Sequence, residues 1–193
     1  MKTGIAGRKL IESFEGCILG AYDDYDDKIL KDGDECRGTL TIGFGHTSVA
    51  GSPNVYIGQT ITREDADSIL SNDLNSVEQQ VTNLVKVPLT QNQFDALVSF
   101  QFNTGALSRS SVLKYLNAGD YSSSADAFLL YNKGNGQVLP GLVRRRQDEK
   151  NLFQSILIST IKETTDNDFL SSILRWLLSL WRNWLLRRPV GNH

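Results

Sequence analysis

The sequence contains few of the residues that build metal centres, disulfide frameworks and nucleophilic triads. Its 193 residues include two cysteines and two histidines, and one of the histidines, His193, is the last residue. A four-ligand zinc site of cysteine and histidine would have to use all four of these residues, including the terminal His193, and two cysteines imply no disulfide framework. A Ser-His-Asp triad would depend entirely on His46. We therefore expect no metal and no cofactor, and we expect any hydrolase chemistry to use carboxylates.

An apolar stretch typical of a secretory signal is also missing near the N-terminus. Residues 1–9 read Met-Lys-Thr-Gly-Ile-Ala-Gly-Arg-Lys, so we expect no signal peptide and a chain that is first present in the cytoplasm. The formal net charge of −2 gives no excess of positive charge for nucleic-acid binding. With 40% hydrophobic and 22% charged residues, the composition is that of a soluble globular protein rather than a disordered one.

Charge is distributed unevenly along the chain. Residues 1–154 carry 15 Lys and Arg against 19 Asp and Glu, whereas residues 155–193 carry 5 against 3. Beyond Asp168 there are four arginines and no acidic residue. We therefore predict one domain over residues 1–154 and a cationic tail over residues 155–193.

The first domain is predicted to combine a small β-rich part with several helices. The spacing of apolar residues predicts a helix over residues 8–14. The alternating, β-rich pattern of residues 39–44 predicts a strand. The Asp-Gly pair at 32–33 predicts a tight hairpin. Thr62 can cap a long helix that Pro88 ends. At ~1.5 Å per residue, its length of about 24 residues is roughly 36 Å. A helix of that length can join two lobes.

Three further helices are predicted over residues 91–103, 110–117 and 123–132, separated by glycine-containing breaks. The predicted fold class is therefore α+β. It has a small β-hairpin lobe and a larger helical lobe joined by the long helix, with an additional helix near the C-terminus.

Two carboxylates and one hydroxyl group form a pattern suited to glycoside cleavage. Glu15 lies at a helix end, Asp24 follows nine positions later, and Thr41 lies in the predicted strand. Glycoside cleavage needs one carboxyl group that donates a proton to the leaving oxygen. It also needs an ionised group that activates water or stabilises the oxocarbenium-like centre.

In these segments the sequence resembles the phage-type lysozymes, glycoside hydrolase family twenty-four. The family pattern is a Glu, eight residues, an Asp, and then a strand that reads Thr-Ile-Gly-x-Gly-His, which matches residues 41–46. A second set of segments also resembles the family: residues 99–105 (Ser-Phe-Gln-Phe-Asn-Thr-Gly), residues 113–120 and residues 138–146. The resemblance covers roughly residues 8–153.

The resemblance implies a two-lobed lysozyme that cleaves the β-1,4 bond between N-acetylmuramic acid and N-acetylglucosamine. Glu15 would be the general acid, and Asp24 and Thr41 would activate the water that attacks from the opposite face and inverts the anomeric carbon. One of the arginines at 144–146 would pair with Glu15. The residues expected to contact substrate are Phe44, His46, Asn103, Arg144 and Arg145.

The chain departs from the family pattern between the Asp and the Thr. The family commonly has about five residues there, whereas residues 25–40 number sixteen, which we interpret as a longer hairpin because loops absorb insertions at low cost. This insertion brings competing acids close to Asp24. The alternatives for the second catalytic carboxylate are Asp23, Asp26, Asp27 and Glu35.

Several of these residues also have simpler interpretations. His46 fits a structural residue that hydrogen-bonds near the cleft better than a general base. The acid run 23–35 fits a solvated hairpin better than a calcium loop, because the sixth position counted from Asp24 is Ile29 instead of glycine. Cys17 and Cys36 are expected to be free thiols, with a disulfide formed after export as the alternative.

The tail contains an amphipathic pattern over residues 169–188. Apolar residues occupy one half of the predicted helix, and serines, arginines and an asparagine occupy most of the other. Such a helix fits a membrane interface, or docking on the domain or on another copy, but its arginines disfavour a spanning segment. The candidate membrane-interacting residues are Arg175, Trp176, Trp181, Arg182 and Trp184.

Taken together, the sequence predicts a monomeric peptidoglycan muramidase of the endolysin type that acts in the periplasm or cell wall after release. Its partners are peptidoglycan and, through the tail, an anionic membrane or outer-membrane surface, with no nucleic acid. Two alternatives remain open. One is a lytic transglycosylase, and the other is a membrane-disrupting peptide carried on a wall-binding domain.

Overall fold

The structure is a computed structural model that describes residues 1–155 of the chain. The predicted tail helix lies outside the described residues, together with Arg175, Trp176, Trp181, Arg182 and Trp184. The helices are α1 (Ile5–Glu15), α2 (Arg63–Leu84), α3 (Gln91–Thr104), α4 (Ser111–Asn117), α5 (Tyr121–Ala127) and α6 (Pro140–Gln154). The strands are β1 (Ile18–Asp23), β2 (Lys28–Ile29), β3 (Leu40–Gly43), β4 (His46–Thr47), β5 (Lys133–Gly134) and β6 (Gln137–Val138).

The small lobe is built on an antiparallel sheet with the strand order β2-β1-β3-β4. The predicted strand over residues 39–44 is confirmed as β3. It pairs with β1 so that Tyr22 lies opposite Thr41 and Asp23 lies opposite Leu40. Ala21 and Ile42, from the two central strands, are fully buried in the core of this lobe. The register brings the end of β1 beside the segment that leads into Thr41.

The predicted hairpin at residues 31–34 is present as a turn but does not connect paired strands. Asp34 Oδ2 accepts a hydrogen bond from Lys31 N at 2.9 Å, and Gly33 has φ +92°. However, β2 before the turn and β3 after it both pair with β1. The hairpin prediction is therefore wrong in its connectivity, because β1 occupies the position between the two strands that the turn would have joined.

Helix α2 joins the sheet to the helical lobe, as predicted. Thr62 Oγ1 accepts from Asp65 N at 3.1 Å, and Asp65 Oδ2 accepts from Thr62 N at 3.0 Å, which confirms the predicted N-terminal cap. The helix has 22 residues, roughly 33 Å, and packs against β3, β4 and α3. It ends at Leu84, before Pro88, where Asn117 Nδ2 donates to the Leu84 carbonyl at 2.9 Å.

Helix α3 is the centre of the larger lobe. It packs against α1, α2 and α6, and most of its residues are buried. Phe100 contacts Phe128 edge-on with ring centroids 5.3 Å apart. The predicted helices over 91–103 and 110–117 are confirmed as α3 and α4. The helix predicted over 123–132 is shorter: α5 begins earlier because Asp120 caps it through Ser123 N, and a 3-10 turn (Phe128–Leu130) follows.

The described residues contain both parts of the predicted fold, a small antiparallel sheet and a larger helical lobe. The α+β fold prediction is confirmed. Across residues 1–155, none of the helices is long and apolar enough to cross a lipid bilayer.

Candidate active site

Glu15 is the last residue of α1, and Gly16 turns the chain out of that helix. Gly16 has φ +68° and ψ 179°, a conformation that is essentially restricted to glycine. One carboxylate oxygen of Glu15 accepts from Arg145 Nη1 at 2.6 Å, and the Glu15 side chain is 21% exposed. Of the three arginines at 144–146, Arg145 is therefore the one that contacts Glu15. The carboxylate is anchored on one side and open to solvent on the other.

A buried ion-pair network on α6 lies behind Glu15. Glu149 accepts hydrogen bonds from Ser99 Oγ and Arg146 Nη2, both at 2.8 Å, and from Arg145 Nε at 3.3 Å. Arg146 Nη2 also donates to Asn103 Oδ1 at 3.0 Å. Burial raises the pKa of Glu149 and lowers the pKa of Arg146, while the attraction between the two charges opposes both changes.

Asp24 directly follows β1, and Thr41 lies on the neighbouring strand β3. Asp24 Oδ1 accepts from Thr39 N at 2.5 Å, and Asp24 N donates to the Thr39 carbonyl at 3.1 Å. The buried Thr41 hydroxyl donates to the same carbonyl at 3.0 Å. The backbone of Thr39 therefore links Asp24 to Thr41, although the two residues are far apart in sequence.

Asp23 has a different environment from its neighbour Asp24. Its side chain is buried and accepts hydrogen bonds from the backbone N–H groups of Tyr25 (3.0 Å), Arg37 (2.7 Å) and Gly38 (2.9 Å). Hydrogen bonds from Arg37 and Tyr25 lower the pKa of Asp23. Asp23 thus holds the long β2–β3 connection against the end of β1.

The other acids of the insertion are occupied in the loop or point to solvent. Asp26 pairs with the Arg37 guanidinium, Asp27 adopts the left-handed backbone conformation with φ +57°, and Glu35 is exposed. Of the five acids considered for the second carboxylate, Asp24 is the one whose side chain hydrogen-bonds to Thr39.

Tyr22 connects the surroundings of Glu15 and Asp24. It is mostly buried on β1, opposite Thr41. Burial raises the pKa of the Tyr22 phenol, and the negative charges of Asp27, Asp24 and Glu15 raise it further. The phenol therefore lies within electrostatic range of both proposed catalytic carboxylates.

Two cavities meet at Glu15 and Asn103. One has a volume of about 340 Å³ and is lined by Glu15, Phe44, Gly45, Ala50, Asp73, Ser76, Val77, Phe102 and Asn103. The other has a volume of about 630 Å³ and is lined by Ser13, Phe14, Glu15, Asn103, Leu139, Gly141, Leu142, Arg144 and Arg145. The cleft thus extends to both sides of the Glu15 carboxylate.

Four of the five predicted substrate-contacting residues line these cavities, and His46 does not. The His46 ring is 1% exposed, and its two nitrogens lie 2.9 Å from Asp73 Oδ2 and 2.8 Å from the Pro53 carbonyl. Asp73 lines the smaller cavity in its place. Burial raises the pKa of Asp73, and the hydrogen bond from His46 opposes that change.

Sequence reasoning missed three titratable residues of this region: Tyr22, Asp73 and Glu149. Glu149 follows Arg145 by four positions and Arg146 by three, so helical spacing is the signal that could have identified it. Asp73 gave no local signal, since its partner His46 is 27 positions away. Tyr22 directly precedes Asp23 and Asp24 in the sequence, but only its register with Thr41 distinguishes it.

Cys17 and Cys36 are both free thiols and partly buried. Burial raises the pKa of each thiol. Among residues 1–155 no group of three or more His, Cys, Asp or Glu side chains is arranged to hold a metal ion.

Comparison with known proteins agrees with this architecture. Residues 12–149 match the family model described as phage lysozyme. The chain is 42% identical over 156 residues to the endolysin of Acyrthosiphon pisum secondary endosymbiont phage 1, covering 77% of this chain and 95% of the relative. It is 45% identical over 157 residues to the endolysin of Salmonella phage P22, covering 80% of this chain and 99% of the relative.

A solved structure gives the same result at the level of the fold. The muramidase domain of SpmX from Asticaccaulis excentricus matches with a TM-score of 0.67 and 41% identity, covering 80% of this chain and 99% of that domain. The family match begins within α1, ends within α6 and includes Glu15, Asp24, Thr41 and Arg145. The chain therefore belongs to the phage lysozyme family and is a peptidoglycan-hydrolysing lysozyme related to phage endolysins.

Proposed function

We propose that this lysozyme hydrolyses the β-1,4 bond between N-acetylmuramic acid and N-acetylglucosamine with inversion at the anomeric carbon. Glu15 is the general acid, and Asp24 and Thr41 position the attacking water. The observation that carries this proposal is the position of Glu15, whose carboxylate lies where two cavities meet and is held from behind by Arg145.

The first part of the reaction is proton transfer from Glu15 to the glycosidic oxygen. As the bond between that oxygen and the anomeric carbon breaks, the electron pair leaves with the oxygen and positive charge develops on the sugar ring. Glu15 becomes a carboxylate at the same moment. Arg145 Nη1, already 2.6 Å from Glu15 Oε1, stabilises that charge without moving.

The water is held by two acceptors. The only hydroxyl proton of Thr41 is used on the Thr39 carbonyl, so its oxygen is available to accept a hydrogen bond from water. The ionised Asp24 carboxylate accepts the second water proton. A water that donates both protons presents its lone pair to the anomeric carbon, and Asp24 takes the proton released after attack.

The remaining contacts bind the glycan. The Asn103 oxygen is occupied by Arg146, so its amide N–H groups are the atoms free to donate to a sugar hydroxyl or acetamido oxygen. Phe44 lines one cavity, and Arg144 with Arg145 lines the other. Arg144 is exposed and is placed to attract the carboxylates of the peptide stems.

The test is the Glu15→Gln variant of the full chain acting on purified peptidoglycan. We expect at least a hundredfold lower release of soluble muropeptides with unchanged folding by circular dichroism, because Gln cannot donate a proton. Wall solubilisation at an undiminished rate would contradict the enzyme mechanism. It would favour a wall-binding carrier whose main activity is membrane disruption by the tail.

Mass spectrometry of the released muropeptides separates hydrolysis from the transglycosylase alternative. Hydrolysis adds one water to each product, whereas a lytic transglycosylase leaves an anhydro sugar. Two observations favour hydrolysis, the exposure of Asp24 and its link to Thr41 through Thr39. Anhydro products would overturn the roles given to these two residues.

The proposed place of action is the periplasm or cell wall, reached after release from the cytoplasm, with the enzyme acting as a monomer. We also propose that residues 169–188 form an interfacial helix that associates with an anionic envelope surface through Arg175, Trp176, Trp181, Arg182 and Trp184. Deleting residues 167–193 should reduce lysis of intact Gram-negative cells while leaving hydrolysis of purified wall unchanged. Unchanged lysis of cells would remove this proposal.

A further inference from the structure

Glu149 is a fully buried carboxylate whose neighbours are mostly positive. The side chain of Ser99 donates to Glu149 Oε1, and so do Arg145 and Arg146. Arg146 Nε lies 2.8 Å from the other oxygen, Oε2, as a close ion pair whose angle departs from a linear hydrogen bond. One carboxylate thus fixes the planes of two guanidinium groups.

Each of these two arginines then reaches one side chain of the cleft. Arg145 Nη1 donates to Glu15 Oε1 at 2.6 Å, and Arg146 Nη2 donates to Asn103 Oδ1 at 3.0 Å. Both arginines are almost completely withdrawn from solvent, since the Arg145 and Arg146 side chains are 4% and 0% exposed. Glu15 and Asn103 are the two residues shared by both cavities.

The charges of the cluster balance only when Glu15 is ionised. Arg145 and Arg146 carry two positive charges, and Glu149 supplies one negative charge inside the protein. When Glu15 holds its proton, the cluster therefore has one uncompensated positive charge. Transfer of that proton to the leaving oxygen restores neutrality, which favours the transition state over the ground state.

Close packing of the protein interior does not by itself require the charged groups of Arg145, Arg146 and Glu149 to be buried. A buried ion-pair network can often be replaced by apolar side chains of similar volume without loss of stability. The network here instead ends on the proton donor and on an amide that faces the cleft, so its geometry serves the site as well as the fold.

We infer that Glu149 is a positioning residue that sets the orientation of Glu15 through Arg145 and of Asn103 through Arg146. This inference rests on the proposed function, in which Glu15 donates the proton and Asn103 binds the glycan. It assigns Glu149 two separable effects: one on the chemical step through Arg145, and one on substrate binding through Arg146.

The titratable groups around Glu15 and Glu149 come from several elements. Those near Glu15 are Arg144, Arg145 and Arg146 from α6, Asp73 from α2 and Tyr22 from β1. Around Glu149 they are Arg145 and Arg146, with Ser99 as the neutral donor from α3. Arg145 belongs to both sets, so neutralising Glu149 leaves its positive charge less compensated beside Glu15.

The experiment is Glu149→Gln in the full chain, assayed on soluble glycan strands across a range of pH. We expect kcat to fall about tenfold and KM to rise several-fold, as expected when a group acts on both the chemical step and binding. The alkaline limb of the pH–kcat profile should move to lower pH, because an added uncompensated positive charge near Glu15 favours its ionised form. A residue that only stabilises the fold would not produce that movement.

Glu78→Gln is the matched control. Glu78 is also a buried carboxylate, but it accepts from Thr3 N at 2.7 Å and Thr3 Oγ1 at 2.8 Å, away from Glu15 and Asn103. We expect this variant to lose stability while keeping the parent kcat, KM and pH profile. If Glu149→Gln behaves like Glu78→Gln, the inference is wrong.

Ser99→Ala covers the case in which Glu149→Gln does not fold. It removes the hydrogen bond from Ser99 Oγ to Glu149 Oε1 and leaves both arginines in place. We expect a smaller change in the same directions, about twofold to fivefold in kcat and in KM. Its control is Ser124→Ala, which removes a buried hydrogen bond to the Val112 carbonyl; kinetics of Ser99→Ala equal to those of this control would overturn the inference.

The outcome also separates this inference from the proposed function. If the parent chain releases no hydrolysis products, or Glu15→Gln retains full activity, the proposed function fails. If the parent and Glu15→Gln behave as proposed while Glu149→Gln and Ser99→Ala change stability alone, only the positioning role of Glu149 fails.

Discussion

The backbone of Gly38 lies directly against the Asp24 carboxylate. A methyl group built on the Gly38 Cα would overlap Asp24 Oδ1 and would also approach Asp23 Oδ1 to 2.7 Å. The connection between β2 and β3, which forms part of the insertion, therefore closes over both aspartates only because position 38 has no side chain. This contact connects the unusual length of the insertion to the geometry of the proposed water-positioning residue.

Gly38→Ala should lower kcat by about tenfold or more, because the added methyl group forces Asp24 or the 37–39 backbone to move. Glycan hydrolysis and thermal unfolding should be measured on the same preparation. Gly119→Ala is the control, since it places a methyl group at φ +80° in open space. It should cost stability and leave kcat unchanged, and a Gly38→Ala enzyme with parent kcat would contradict the account of Asp24.

Asp23→Asn and Asp24→Asn should separate stability from catalysis. Asp23 accepts three backbone hydrogen bonds inside the loop, whereas Asp24 is exposed. We expect Asp24→Asn to reduce kcat about a hundredfold with little change in melting temperature. Asp23→Asn should lower the melting temperature and keep much more of the activity. The reverse result would make Asp23 the second catalytic carboxylate.

The stability difference between the parent chain and Asp23→Asn should depend on pH. The native pKa of Asp23 lies below its ordinary value of 3.8, so the folded state favours the ionised form. Its contribution to the free energy of unfolding is fully present above that ordinary value and is lost as the pH falls through the lowered pKa. Urea unfolding from pH 6 to pH 3 should show the two proteins converging at the acid end; a constant difference would contradict this assignment.

His46→Ala should destabilise the fold by about 3–5 kcal/mol, the usual cost of removing one partner of a buried pair. It leaves the Pro53 carbonyl and the mostly buried Asp73 carboxylate without their partner. Asp73→Asn should cost less, because the amide oxygen can still accept the hydrogen bond that the imidazole donates. Urea unfolding of both variants tests this order. An equal loss of unfolding free energy in the two variants, or a larger loss in Asp73→Asn, would contradict this account of the pair.

Arg144→Gln should raise KM for peptide-bearing glycan strands about fivefold without changing kcat, since the side chain is exposed and forms no ion pair among residues 1–155. The effect should shrink at high ionic strength. Lys114→Gln, which removes an exposed charge on α4, is the control and should leave KM unchanged. Equal KM values for the two variants would exclude Arg144 from substrate recognition.

The sequence was sufficient for features that local spacing determines. The Thr62 cap predicted the start of α2 because a capping box is complete within four residues. The residues around Thr41 predicted β3 because the alternation of residue types along a strand is a local signal. The order of the strands in the sheet is not determined by local sequence. The Asp-Gly turn at 32–33 is present, but the strands before and after it, β2 and β3, both pair with β1, which precedes them in the chain.

The choice among similar residues required the tertiary structure. Three consecutive arginines are equivalent in the sequence, and only the rotation of α6 against α1 and α3 directs Arg145 to Glu15 and Arg146 to Asn103. In the same way, the motif identifies His46, whereas the residue that lines the cavity is its partner Asp73 on α2. Such contacts join elements far apart in the chain, so no local pattern contains them.

The cleft continues past Glu15 in both directions, into a cavity on the α2 side and a larger one on the α6 side. A polymer can lie across such a groove without threading one of its ends into a closed pocket. Cleavage is therefore expected at interior bonds of long strands. The average length of the glycan strands should fall steeply while few new glycan ends have formed. A small number of cuts by each enzyme molecule would be enough to weaken a stressed wall.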